Sequence, residues 1–152
     1  MINKSLLFIL IITLSVGFAQ KHKMEHLIED EIDLKYLLFL PKDYSSAKKT
    51  IWPLILFLHG MGERGDDLEL VKIHGIPKIV KTKEDFPFIA VSPQCPIEYV
   101  WADKKMLQAL ECLVLKITKS YRIDKTRVYV TGLSMGGYGA WALAARRPDL
   151  FA

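Results

Sequence analysis

Histidine is scarce and confined to the first half of the chain. There are four, at positions 22, 26, 59 and 74, and none follows His74. Cysteine is scarcer still, with only Cys95 and Cys112. Two cysteines exclude a disulfide framework, and without a nearby histidine they make no metal site. Cys95 lies in a loop between prolines and Cys112 in a predicted helix. Their spacing does not demand a disulfide, and both are read as buried thiols. Excess positive charge is also small: basic side chains outnumber acidic ones by 21 to 17, a net charge of +4. No basic face with interleaved aromatics is visible, so nucleic-acid binding has no support. No apolar run reaches the roughly 20 residues of a membrane-spanning helix. Repeats and low-complexity segments are absent as well.

What remains is the composition of a soluble globular protein, 51% hydrophobic and 25% charged over 152 residues, enough for one domain. The first residues stand apart. Met1-Ile-Asn-Lys4 precedes an apolar stretch from Leu6 to Phe18, broken by Thr13, Ser15 and Gly17. Gly17-Phe18-Ala19 then closes it with small residues. A basic start, a short apolar core and a small-x-small end fit a secretory signal over residues 1–19, cut after Ala19. Residues 20–152 are then read as the N-terminal portion of a single domain in a secreted or periplasmic protein.

The most informative stretch is Arg127 to Trp141. Val128, Tyr129 and Val130 read as a buried strand, and Gly137 to Ala145 as a small-residue helix stopped by Pro148. Between them Gly132-Leu133-Ser134-Met135-Gly136 fits G-x-S-x-G, the nucleophile elbow. In such a turn the serine is strained and lifted clear of the sheet. Gly132 and Gly136 are needed because side chains there would strike the adjoining strand and helix. Ser134 is thus the candidate nucleophile. The Met135 amide, at the positive end of the helix, is a candidate oxyanion donor.

Along the chain, residues 20–30 read as a polar, frayed lead-in. Ile32, Leu34, Tyr36, Leu38 and Leu40 alternate as in a strand, and Pro41 ends it before a polar turn region, the whole reading as a hairpin edge. Pro53 to Leu58 is continuously apolar, as suits a central parallel strand. It runs into His59-Gly60-Met61-Gly62-Glu63-Arg64-Gly65, and glycine density at the carboxyl end of a central strand marks a ligand position. The second oxyanion donor is assigned to the Met61 amide, with Gly60 allowing close approach. His59 is read as bracing this loop, because in this architecture the base follows the nucleophile in chain order. His74 is read as a surface or loop-packing residue. Glu63, Arg64, Asp66 and Asp67 are either mutually paired or a solvated charge run. Phe86 to Ser92 reads as the next strand. Trp101 either lines a cleft or is packed. Asp103 is a helix N-cap, and Met106, Leu107, Leu110, Leu113, Val114 and Ile117 form the buried face of a helix ending near Ser120. Strands alternating with helices predict an α/β fold with a mostly parallel sheet flanked by helices.

Three motifs in order, Leu58 to Gly65, Ser92-Pro93-Gln94-Cys95-Pro96 with Trp101, and Gly132 to Gly137, give a resemblance to the α/β-hydrolase superfamily. The chain looks closest to secreted bacterial phospholipase/carboxylesterase and poly(3-hydroxybutyrate)-depolymerase-like esterases, over residues 30–152. The resemblance implies hydrolysis of small or polymeric carboxylic esters through Ser134, with oxyanion donors at Met61 and Met135 and neither cofactor nor metal. A serine peptidase of the prolyl-oligopeptidase type shares the elbow, and a degenerate, non-catalytic binding protein is the third reading. The acid and base of such enzymes lie on loops after later strands, so this sequence reads as the N-terminal part of a longer hydrolase.

Overall fold

The computed structural model describes residues 23–29 and 32–152. Its five strands are β1 (Lys23–Glu29), β2 (Ile32–Phe39), β3 (Trp52–Leu58), β4 (Ile89–Pro93) and β5 (Ile123–Gly132). The helices are α1 (Leu68–Val71), α2 (Gly75–Val80), α3 (Lys104–Ser120) and α4 (Met135–Arg146). The strands form one sheet in the order β1-β2-β4-β3-β5. β1, β2 and β4 pair antiparallel, whereas β3 runs parallel to both β4 and β5. No helix among the described residues is long and apolar enough to cross a membrane. The expected signal segment, residues 1–19, lies outside the described residues.

Alternation decides which side of the sheet each residue serves. Ile32, Leu34, Tyr36 and Leu38 of β2 face the larger core with Leu54, Leu56 and Leu58 of β3. Leu37 and Phe39 face the opposite side, where Leu68, Val71 and Val80 of α1 and α2 cover them. β3 has helices on both faces, which is why its sequence is a continuous apolar run. Over the larger core lies α3, whose buried stripe is the one its periodicity predicts, with Ala109 added. Leu110 is fully buried there. Leu110→Ala is expected to cost about 2–5 kcal/mol of stability, measured as a lower denaturation midpoint with an unchanged slope.

Two expectations need correction. Residues 23–29 are not a frayed lead-in: β1 pairs in register with β2 along its whole length, Lys23 opposite Leu38 through Glu29 opposite Ile32. The tie is tertiary. Tyr36 donates its hydroxyl to Glu25 Oε2 at 2.6 Å, and Lys116 of α3 donates to the His26 carbonyl at 3.1 Å. β4 begins at Ile89 rather than Phe86. Phe86 and Phe88 lie just ahead of it, where Phe86 packs edge-on against Phe39 and Phe88 against Tyr129. Among the described residues β5 pairs with no strand but β3, and beyond that ladder its Val128 carbonyl accepts the Ala152 amide at 2.9 Å.

Candidate active site

β5 delivers the chain to the carboxyl edge of the sheet, and α4 carries it away at once. Ser134 stands at the junction with φ 52° and ψ −115°, alone among the described non-glycine residues in having positive φ. Such a conformation costs on the order of 1–3 kcal/mol and persists only where the surroundings over-determine it. Here they do. A Cβ on Gly132 would come within 2.2 Å of the Gly136 carbonyl, and one on Gly136 within 1.9 Å of the Leu58 carbonyl oxygen. The Leu133 amide donates to that same Leu58 carbonyl at 3.0 Å, clamping the turn to the end of β3. Ser134 is left exposed at the head of α4. Met135 is the first residue of the helix, so its amide has no intrahelical acceptor.

The loop after β3 abuts the elbow. A Cβ on Gly60 would lie 3.9 Å from Ser134 Cβ, an ordinary contact, and 3.1 Å from Glu63 Oε2, a tight one. Met61 to Glu63 form one 3-10 turn whose first amide is that of Met61. The His59 ring is buried and uses both nitrogens. Nδ1–H donates to the Gly60 carbonyl at 2.6 Å, and Nε2 accepts the Cys95 amide at 3.0 Å. This fixes the neutral Nδ1–H tautomer. With the Gly60 carbonyl turned towards His59, the trans Gly60–Met61 peptide sends the Met61 N–H the opposite way. Trp101 is packed, not cleft-lining: it is fully buried, edge-on to His59, and donates Nε1–H to the His59 carbonyl at 3.0 Å.

Between loop and elbow lies a cleft of about 260 Å³, lined by Met61, Val100, Ala102, Ser134, Met135 and Tyr138. Its walls are almost wholly apolar around Ser134. The structure therefore brings Ser134, Met61 and Met135 to one place. No histidine lines that cleft among the described residues. No group of histidine, cysteine or acidic side chains among the described residues could hold a metal.

The chain matches the model of the Esterase family over residues 29–152. It belongs to the Esterase family. Among solved structures it is similar to a thermostable esterase, at 33% identity and a TM-score of 0.72, covering 88% of this chain and 40% of that one. A ferulic acid esterase shares the fold at 24% identity and a TM-score of 0.67, covering 86% of this chain and 57% of that one. A 127-residue stretch is also 31% identical to part of the non-reducing polyketide synthase Preu3 of Preussia isomera, 76% of this chain but 5% of that protein. The chain thus spans about half the length of the solved structures it matches.

In this Esterase-family chain the middle motif serves the first. Gln94 Nε2 donates to the carbonyls of Glu63 at 2.9 Å and Asp67 at 2.8 Å, and the Cys95 carbonyl accepts the Gly65 amide at 2.9 Å. The acidic–basic run is neither self-paired nor simply solvated. The Arg64 guanidinium binds the carbonyls of Met61, Ile97 and Tyr99, Asp67 caps α1 by accepting the Glu69 amide, and Glu63 is buried. Sequence reasoning missed Gln94 as the loop's anchor. A glutamine between two prolines was the available signal, but its partners are 27 and 31 residues away.

No disulfide joins Cys95 to Cys112. Burial pushes the Cys95 thiol up to about 12, so it stays protonated beneath the loop. Cys112 is only half-buried, because its position on α3 falls beside the buried stripe.

Burial also holds the His59 imidazole below its ordinary 6.5, against the opposing pull of its bond to Gly60. The unfolded chain therefore takes up this proton before the folded one does. Stability is full above pH 6.5 and falls as pH drops below it. Melting temperatures from pH 7.5 to 5.5 are expected to decline, and His59→Gln, which cannot titrate, is expected to flatten that decline.

Proposed function

We propose that this chain carries the nucleophile and oxyanion hole of a serine hydrolase acting on carboxylic esters. The observation that carries this reading is the strained, exposed Ser134 facing the Gly60–Met61 peptide at the head of α4. Family membership and the esterase neighbours support ester chemistry. In the reaction a base removes the Ser134 proton as Oγ attacks the ester carbonyl. The carbonyl oxygen becomes anionic between the Met61 and Met135 amides, which are fixed before the charge develops. Collapse expels the alcohol with a proton and leaves an acyl-Ser134, which water then hydrolyses to the acid. The cleft's small apolar walls suit a short acyl group.

We place the base and its orienting acid in polypeptide beyond residue 152. His59 has both ring nitrogens engaged, and the solved esterase at 33% identity is more than twice as long. Residues 20–152 alone should turn over p-nitrophenyl acetate no faster than their Ser134→Ala version. Ser134-dependent turnover by those residues would overturn this placement. The polypeptide that includes the base should hydrolyse the ester and take up a fluorophosphonate on the tryptic peptide bearing Ser134. Modification elsewhere, or faster cleavage of a matched peptide amide, would sink the esterase reading. We also propose export through residues 1–19, checked by N-terminal sequencing of the mature protein.

A further inference from the structure

Behind the Gly60–Met61 peptide sits a carboxylate the proposed reaction does not use. Glu63 is only 8% exposed. Its Oε1 lies 3.5 Å from His74 Nε2, while Oε2 is buried with no hydrogen-bond partner among the described residues. Oε2 is 3.8 Å from His59 Nδ1 and would lie 3.1 Å from a Cβ on Gly60. The same Cβ position is 3.9 Å from Ser134 Cβ, so Gly60 has the carboxylate on one side and the nucleophile's turn on the other. A buried carboxylate with an unsatisfied oxygen costs stability. Nothing in the local fold requires an acid there, since the turn is already held through the Glu63 carbonyl by Gln94 and through the Met61 carbonyl by Arg64.

We propose that Glu63 is a positioning residue for the oxyanion donor on Met61, and that His74 holds its carboxylate in place. The reading rests on the proposed role of Met61. Met61 and Glu63 are the two ends of one 3-10 turn, so the carboxylate's position and the amide's direction move together. The side chain wedges against Gly60 from behind, while His59 pins the Gly60 carbonyl. His74 is a fixed post for it. It stands immediately before Gly75, whose φ is +60° and whose Cα abuts the Phe57 ring of β3, where a Cβ would be 2.2 Å from Cζ. Without His74 the contact to Oε1 is lost, and the carboxylate is free to swing off the peptide it backs. His74 thus acts through Glu63 and has no role of its own in the chemistry.

The test is a double-mutant cycle in the polypeptide that includes the base. Glu63→Ala should lower kcat about tenfold or more, approaching the 10²–10³ lost with a whole oxyanion donor, with KM within about twofold. Glu63→Gln, which keeps the wedge, should recover part of that loss. His74→Ala should lower kcat about threefold in the Glu63 background and leave it unchanged in the Glu63→Ala background, the non-additivity of groups in contact. Additive effects, or an unchanged kcat in Glu63→Ala, would overturn the proposal. The Met61 amide resonance supplies a readout independent of turnover. His74→Ala should shift it when residue 63 is Glu and leave it in place when residue 63 is Ala. That shift in a protein without esterase activity would reject the hydrolase reading and keep the clamp; activity with an unmoved resonance would do the reverse.

Discussion

Ser134→Ala is expected to lower kcat for p-nitrophenyl ester hydrolysis by about 10⁴–10⁶-fold in the polypeptide that includes the base and acid. The size follows from the division of labour at the cleft. On the proposed mechanism, removing Oγ abolishes the acyl-enzyme route, and the residual rate comes from the Met61 and Met135 amides polarising a bound ester towards water. The fold should tolerate the change. Ser134 is exposed, its hydroxyl has no hydrogen-bond partner among the described residues, and alanine keeps the Cβ that already stands there. Relieving nothing and burying nothing, the substitution should leave the melting temperature within about 2 °C. Steady-state kinetics beside a thermal melt make the check. A loss of less than tenfold with the fold intact would mean that the nucleophile lies elsewhere.

Gly136→Ala should have the opposite signature, a collapse of both stability and activity. A Cβ there would lie 1.9 Å from the Leu58 carbonyl oxygen and 2.7 Å from that of His59. Those atoms are backbone at the end of the central strand and cannot swing away as a flexible side chain would. To admit one methyl group, α4 must lift from β3, and Ser134 must leave its position beside Gly60. A cost of about 3 kcal/mol or more is expected, at the severe end for overpacking. Gly137→Ala is the matched control. Its Cβ would meet nothing nearer than the Gly132 carbonyl oxygen at 3.7 Å, an ordinary contact. With alanine favoured over glycine inside a helix by up to about 1 kcal/mol, that neighbouring change should be neutral or stabilising. Denaturant melts of both variants separate the cases, and equal behaviour would refute the steric account of the elbow.

Several of these features could be read without coordinates, for a common reason. The buried stripe of α3, the alternation of β2 and the apolar run of β3 are all local periodicities. Burial imposes them on every residue of an element, so the pattern survives in one dimension. The elbow is legible because its constraints fall within five consecutive residues, Gly132 to Gly136. β1 was illegible for the complementary reason. Met24 and Ile28 are exposed, so its apolar residues do not mark an inward face. Its strand conformation comes from pairing with β2 and from Glu25 meeting Tyr36 eleven residues on. The start of β4 was misplaced because Phe86 and Phe88 are as apolar as a strand, yet they pack ring against ring outside the ladder.

The sequence by itself determined that a strand, a strained serine and a helix follow one another, and that a glycine-rich loop ends the central strand. Local sterics and period leave few other ways to fold those stretches. Only the tertiary structure decided that loop and elbow meet at Gly60 and Ser134, 74 positions apart. Only it turned His59 into a brace with both nitrogens engaged, and left Glu63 buried behind the Gly60–Met61 peptide with His74 beside it. Those outcomes depend on which strands become neighbours in the sheet, a property of long-range pairing that no window of sequence contains.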